Sequence, residues 1–240
     1  MDFSKKVVLI TGASYGIGCE IAKYFAKLGC NIVITYNTNE ILSNELVNEI
    51  KNKNNVEIDN FKCDITNEKD VNKLFLFVKE KYGKLDILVN NSALSMDNYF
   101  LDKTKDEFMK VLEVNVFGTF FMMKTFSKIT DYIFNISSTD AIDTGNEYNI
   151  DYSCSKASIN CMTNYFSLFD KFTKYISICP NWVDTEPIRM MDQEFLNNEL
   201  KRIGQDKLIN PKSIPIMIKK CIIDDVESGS IIRIDGDINE

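Results

Sequence analysis

Short apolar runs recur along the chain, and the stretches between them carry helical periodicity. Runs rich in Val, Ile and Leu fall at 7–10, 31–36, 56–63, 85–90, 132–137, 175–179 and 230–234. Several are continuous, Val7-Val8-Leu9-Ile10 among them, as in strands covered on both faces of a parallel sheet. In between, apolar residues return every three or four positions. Ile17, Ile21, Phe25 and Leu28 share one helical face, and Gly29 follows as a stop signal. Thr66 is placed to cap a helix that starts near Asn67. Strict alternation of β and α predicts a doubly wound parallel sheet in three α/β/α layers. No linker, repeat or low-complexity tract interrupts the pattern, so a single domain is expected over 1–240. The longest stretch without strand character, 187–210, follows a strand's carboxyl end, where open α/β sheets bind ligands. It reads as a mobile helical lid over a substrate.

Composition narrows the picture mainly by exclusion. With 45% apolar residues and four prolines, the chain can bury a sizeable core. No stretch is long and charge-free enough for a spanning helix, and the apolar run after the opening six residues is too short for a signal peptide. Seven cysteines, without a CxxC pair, read as reduced thiols of a cytoplasmic protein. A net charge of −7 argues against nucleic acid or an anionic membrane as partner. The chain has no histidine. That removes Ser-His-Asp and Cys-His nucleophile systems and most catalytic zinc sites, so no metal site is expected. Proton transfer near neutral pH must fall to a perturbed Tyr, Lys, Cys, Asp or Glu.

Two motifs supply candidate chemistry. Thr11-Gly12-Ala13-Ser14-Tyr15-Gly16-Ile17-Gly18 directly follows the first apolar run and opens an amphipathic helix. Glycines there let the backbone approach phosphates while the helix N-terminus aims free N–H groups at them. Tyr152 and Lys156 stand four residues apart, on one face of a helix. A free phenol titrates near ~10, and a neighbouring ammonium is expected to lower that value toward working pH.

The chain resembles the short-chain dehydrogenase/reductase family over essentially its full length. The resemblance rests on TGASYGIG (11–18), CDI (63–65), LVNNSA (88–93), EVNVFG (113–118), NISS (135–138), YSCSK (152–156), PNWVDT (180–185) and IIRIDG (231–236), in order and nearly at the usual spacing. It implies a Rossmann fold and an NAD(P)(H)-dependent oxidoreductase that transfers hydride between nicotinamide and a carbonyl or secondary alcohol.

Family precedent would give Gly12, Ser14, Tyr15, Gly16, Ile17 and Gly18 to the cofactor phosphates, and Tyr36, Asn37 and Thr38 to the adenosine ribose pocket. Asp64 and Ile65 would meet adenine; Asn91, Ser92 and Ala93 would line the ribose; Val183 and Thr185 would hold the carboxamide. Tyr152 would exchange a proton with the substrate oxygen, Lys156 would also bind the nicotinamide ribose, Ser138 would hydrogen-bond the substrate oxygen, and Asn115 would hold a relay water in its helix. The end of the second strand reads Thr35-Tyr36-Asn37-Thr38-Asn39, with no acid before Glu40, which favours NADP(H) over NAD(H). Tyr15 stands where NADP-preferring members often carry a cation, and it weighs the other way.

Several positions depart from the family pattern. Ala93 and Asn181 replace usual glycines; asparagine tolerates a left-handed backbone and so could keep the second turn. Ser138 stands fourteen residues before Tyr152, whereas Thr139 has the usual spacing of thirteen. The motif selects Ser138 and implies one inserted residue in the 140–151 loop. Tyr148 has no lysine four residues on and is set aside, and the stretch from Asn115 to Ser138 is shorter than is common, as if a surface turn were missing. Cys154, inside the YxxxK motif, reads as a small packing residue. Phe117, Phe120, Phe121 and Phe126 read as core or subunit interface, the family commonly forming tetramers through the helices that carry Asn115 and Tyr152; a homotetramer or homodimer is expected.

For substrate, Asp97-Asn98 and the overall length resemble the 3-oxoacyl carrier-protein reductases, and Lys171 and Lys174 could face an acidic carrier protein. A sugar, a polyol or a small ketone fits the divergent 187–210 stretch as well. A catalytically idle nucleotide sensor or scaffold is the alternative from another class, opposed by the intact Asn115, Ser138, Tyr152 and Lys156 set.

Overall fold

A computed structural model describes residues 2–239; Met1 and Glu240, the two ends of the expected domain, lie outside the described residues. The chain runs β1 (Val7–Ile10), α1 (Gly16–Lys27), β2 (Asn31–Tyr36), α2 (Glu40–Lys53), β3 (Ile58–Lys62), α3 (Glu68–Tyr82), β4 (Leu85–Asn90), α4 (Lys105–Leu112), a π-helical segment (Glu113–Gly118) and α5 (Thr119–Phe126). It continues through β5 (Thr130–Ile136), α6 (Ile150–Phe169), β6 (Lys174–Pro180), α7 (Glu186–Arg189), α8 (Gln193–Ile203), α9 (Ser213–Ile223) and β7 (Ile231–Ile234). All seven expected strands are present. The first, second and fourth have the expected bounds, and the others differ by a few residues at their ends.

The strands form one parallel sheet in the order β3-β2-β1-β4-β5-β6-β7. The chain winds outward from β1 to β3, returns to place β4 against β1, and then winds the other way. Order therefore reverses between β1 and β4, and the loops after these two strands part there into a crevice. Alternation within each strand feeds two apolar layers. On β1, Val8 and Ile10 join Ile21, Phe25, Ile32 and Ile34 on one side. Val7 and Leu9 join Val33, Leu74, Met122 and Phe126 on the other. Each such fully buried side chain contributes about 1.5–3 kcal/mol, so both helix layers are held against the sheet and the strand ends cannot drift.

Helix α1 buries Ile21 and Phe25 and closes at Leu28, and Gly29 (φ 87°) turns the chain into β2. The cap of α3 differs from the expectation. Asn67 caps it by accepting from the Lys69 N–H, because the Thr66 hydroxyl already donates to Asp64 Oδ1 at 2.8 Å. The 187–210 stretch is largely helical: α7 and α8, with Asp192 accepting from the Phe195 N–H as N-cap and Gly204 in the left-handed region after the end. The connection from α5 to β5 is a single 3₁₀ turn, Ser127–Ile129. Phe126 is core and Phe117 is about half exposed, so the four phenylalanines do not act as one cluster. Cys154 is exposed rather than packed inside, because a position two residues from Tyr152 lies round the helix from the face that carries Tyr152 and Lys156.

Candidate active site

The carboxyl ends of the strands open into one cleft of about 980 Å³. Of the residues singled out from sequence, all but Gly18 and Asn115 line it.

Its nucleotide end is built mostly from backbone. Gly12 and Gly16 both have φ 62°, the left-handed region that L side chains disfavour. A Cβ on Gly12 would lie 2.7 Å from Ser92 Oγ, so the loop presses directly on the one after β4. Gly18 is needed for a different reason: its Cβ would meet Asn91 Nδ2 at 2.6 Å and Ala13 Cα at 2.9 Å. Tyr15 sits at the α1 N-cap without a side-chain cap and the first turn holds no acid, so that turn's N–H groups point at the cleft. Such a cradle fits a dinucleotide pyrophosphate. The Asn91 side chain donates to the carbonyls of Thr11 and Gly12 at 3.0 and 2.9 Å, and its N–H and that of Ser92 bond Thr11 Oγ1. Asn91 therefore holds the glycine loop with its amide; only Ser92 and Ala93 keep free side chains on the ribose side.

At the end of β2, Asn37 and Thr38 are exposed and Tyr36 is nearly buried. The segment 36–39 itself brings neither a cation nor an acid to the cleft, although Asp64 lines it next door and Glu40 bears on the Tyr36 hydroxyl; among the described residues Lys156 is the one Lys or Arg in the lining. Asp64 accepts from the Thr66 N–H and hydroxyl, and Ile65 packs on Gly118. Val183 forms a parallel bridge with Ile209, and Thr185 stands at the N-cap position of α7 without a side-chain cap, opposite Gly16, with 3.6 Å between Thr185 Cγ2 and a Cβ built on that glycine.

The catalytic end is built from side chains. Helix α6 carries Tyr152 and Lys156 on the face turned to β5, and Lys156 Nζ donates to the Ile136 carbonyl at 2.7 Å, 5.2 Å from the Tyr152 ring centroid. Burial lowers the Lys156 pKa to about 8. Burial, helped by the nearby Asp140 and Asp97 carboxylates, raises the Tyr152 phenol above its ordinary value. Burial thus outweighs the Lys156 ammonium 5.2 Å from the ring centroid, and the expected lowering does not come from the side chains alone.

Ser138 and Thr139 divide their duties. Ser138 Oγ accepts from the Asp140 N–H at 3.1 Å, and among the described residues nothing accepts its hydroxyl hydrogen. Thr139 Oγ1 donates to Asn181 Oδ1 and accepts from Thr144 Oγ1, so it is spent inside the protein. Ser137 donates to the Lys156 carbonyl. Asn115 lies fully buried in the π-helical segment. Its amide bonds Leu94 N and O at 2.7 and 2.9 Å and Ser155 Oγ at 2.9 Å, tying the loop after β4 to α6. Asn181 does not use the left-handed region: among the described residues only Lys5 and Asp225 are non-glycines with positive φ.

The stretch expected as a lid supplies one wall of the cleft, whose individual residues the sequence did not name. Leu94, Trp182, Pro187, Ile188, Met191 and Phe195 give it an apolar side, while Asp97, Asp140, Asn146 and Asn149 give it polar points. Tyr148, set aside for want of a partner lysine, also lines the cleft and packs edge-on against Phe195 of α8 at 5.6 Å. Arg202 of α8 donates to the carbonyls of Thr144 and Gly145, fastening α8 to the loop before α6. Only the placement of 187–210 after a strand end hinted at this wall. Lys171 and Lys174 are not near it. Lys174 begins β6, at the opposite end of the sheet, paired with Asp225, and Lys171 donates to the Ser167 carbonyl. Among the described residues no His, Cys, Asp and Glu cluster could hold a metal ion.

A family model described as short chain dehydrogenase matches residues 6–194. Among curated proteins, the chain is 27% identical to Glucose 1-dehydrogenase 2 of Bacillus subtilis, over 98% of this chain and 95% of that protein. It is also 27% identical to 3-oxoacyl-[acyl-carrier-protein] reductase FabG of Aquifex aeolicus, over 96% of both. Among solved structures, a dehydrogenase/reductase from Sinorhizobium meliloti superposes with a TM-score of 0.89 at 24% identity, over 98% of this chain and 96% of that one.

Proposed function

Because the chain belongs to the short-chain dehydrogenase family, and is an NAD(P)-dependent oxidoreductase, we propose that it reduces the keto group of a 3-oxoacyl thioester with NADPH. The observation that carries this reading is the Tyr152 ring 5.2 Å from Lys156 Nζ, in one cleft with an uncommitted Ser138 hydroxyl and an apolar wall that suits an acyl chain. The bound nicotinamide supplies the hydride. Ser138 donates a hydrogen bond to the carbonyl oxygen as negative charge grows there. Tyr152 gives that oxygen its proton, and Lys156 stabilises the resulting phenolate. Asn115 acts from behind, holding the second turn of α6 against the loop after β4 through Ser155. NADPH is preferred because Tyr36, Asn37 and Thr38 place no carboxylate against a 2′-phosphate. In this reading the chain is one nucleotide-binding domain with 187–210 as its substrate lid. It works in the cytoplasm as a homotetramer or homodimer joined through the π-helical segment with α5 and through α6, where Phe117, Tyr165 and Phe169 stand exposed. Among the described residues no helix is long and apolar enough to cross a membrane.

A sugar or polyol substrate is the second reading, favoured by Asp140, Asn146 and Asn149 on the wall and by the glucose dehydrogenase among the relatives. Initial rates measured at the reduced-nicotinamide absorbance separate the two. The panel is acetoacetyl-coenzyme A, small β-diketones, glucose and mannitol, each with both cofactors. Turnover of the thioester with NADPH supports the first reading. Turnover confined to glucose or mannitol moves the assignment to the second.

A further inference from the structure

Asn181 occupies the turn after β6, where the resemblance leads one to expect glycine, and its side chain is buried and bonded at both ends. Its Oδ1 accepts from Thr139 Oγ1, in the turn that follows β5. Its Nδ2 donates to Asp235 Oδ1 at 3.0 Å, in the turn that follows β7. Its own N–H bonds the Ile234 carbonyl at 2.9 Å. From Asp235 the chain of bonds goes on through Arg233 Nε (2.6 Å) and Arg233 Nη1 to Asp143 Oδ1 (2.6 Å). The Asp143 N–H returns to the Thr139 carbonyl at 3.0 Å. The result is a closed ring that joins the carboxyl ends of β5, β6 and β7, and Ser138 is the residue next to its Thr139 corner.

We infer that Asn181 is a positioning residue for Ser138: its amide clamps Thr139 to the ends of β6 and β7 and so fixes where the Ser138 hydroxyl points. The clamp needs an amide in particular. A hydroxyl on one side requires an acceptor, and the Asp235 carboxylate on the other requires a donor. Glycine offers neither, and aspartate would set two carboxylates face to face. Thr139 has a second restraint in Thr144 Oγ1, at 2.7 Å, so loss of the clamp loosens the turn without releasing it. A misplacement of about 1 Å in a group that meets the reacting atoms can cost roughly 10²-fold in rate. The inference rests on the reading of Ser138 as the hydroxyl that binds the substrate oxygen.

The experiment is a double-mutant cycle on kcat, with acetoacetyl-coenzyme A and NADPH, using Ser138→Ala, Asn181→Gly and their combination. NADPH dissociation constants from nucleotide fluorescence and thermal melts accompany each protein. Asn181→Gly is expected to lower kcat at least ~10-fold while NADPH affinity changes less than about threefold. Ser138→Ala is expected to cost far less in the Asn181→Gly background than alone, because the hydroxyl is already misdirected there. Thr139→Val should reproduce the Asn181→Gly phenotype, and Thr139→Ser, which keeps the hydroxyl, should restore kcat. If Asn181→Gly does not fold, the same cycle with Thr139→Val decides the matter. Wild-type kcat in the clamp variant, or fully additive losses with Ser138→Ala, overturns the clamp and leaves the serine's role standing. Wild-type kcat in Ser138→Ala alone overturns the serine's role and the clamp with it.

Discussion

The two ends of the cleft are made by different means. At the nucleotide end the work is done by backbone: two left-handed glycines, an uncapped helix N-terminus and a glycine pressed against Asn91. At the catalytic end it is done by side chains drawn from the turns after β4, β5 and β6 and from α6, with a buried ammonium behind a half-buried phenol. A backbone site is local and tolerates changes in its flanks. A side-chain site depends on distant turns keeping register, so it is bound by hydrogen bonds such as those of Asn115 and Asn181. The nucleotide end should fail by steric exclusion, and the catalytic end by lost protons and lost aim.

The largest expected effect lies at the catalytic end. Tyr152→Phe keeps the ring and removes the only proton poised for transfer, so kcat should fall by roughly 10³-fold. NADPH binding by fluorescence titration should be unchanged; turnover near that of the unmutated protein would refute the proton assignment. Next, Ser138→Ala should lower kcat by roughly 10²-fold or more, and Ser137→Ala far less, since Ser137 bonds only the Lys156 carbonyl. Equal losses in steady-state rates would erase the distinction between the two serines.

Lys156 sharpens the comparison through stability. Its folded pKa, about 8, lies below the ordinary lysine value of 10.5, so the native state binds fewer protons than the unfolded chain between those values. Native stability therefore rises with pH across that window. Below it the buried ammonium costs about 3 kcal/mol, at ~1.4 kcal/mol per pKa unit. Lys156→Met should abolish turnover and yet raise the melting temperature at pH 7, with the gain shrinking as pH climbs from 8 to 10. A lower melting temperature at pH 7 would show that the bond to Ile136 outweighs the desolvation.

At the nucleotide end, Gly18→Ala forces a Cβ into Asn91 and the Ala13 backbone and should cost about 2 kcal/mol of stability. Calorimetry should show the loss, with NADPH affinity falling and kcat at saturating cofactor nearly kept. The smallest effect is expected from Asn37→Asp. A carboxylate at the end of β2 should weaken NADPH relative to NADH by roughly tenfold, ~1.4 kcal/mol. Paired titrations of the unmutated protein provide the control; tighter NADH than NADPH there would shift attention to Tyr15 and Glu40.

The same contrast explains what could be read from the sequence. The strands, the glycine cradle and the Tyr152–Lys156 pair follow from local periodicity and short spacing, and each of these is present. The α3 cap was misplaced because the Thr66 hydroxyl is claimed by a carboxylate two residues earlier. Helix spacing brings the Lys156 ammonium near the Tyr152 phenol, but the hydrogen bond of that ammonium and the placement of Asp97 and Asp140 are tertiary facts that no spacing shows. The contact of Tyr148 with α8 and the place of Asp140 in the cleft are not legible in the sequence, because a loop's contacts carry no periodic signal. Asn181 was taken for a backbone substitute for glycine; its use lies in three hydrogen bonds to other strand ends.

Gly118 shows how packing couples two distant positions of the chain. A Cβ there would fall 2.6 Å from Ile65 Cδ1 and 2.7 Å from Cγ1, so the π-helical segment that holds Asn115 rests directly on the residue that follows Asp64. An alanine at 118 would force the Ile65 side chain to shift, so the two positions are coupled, and Gly118→Ala should cost less stability in an Ile65→Ala background than alone.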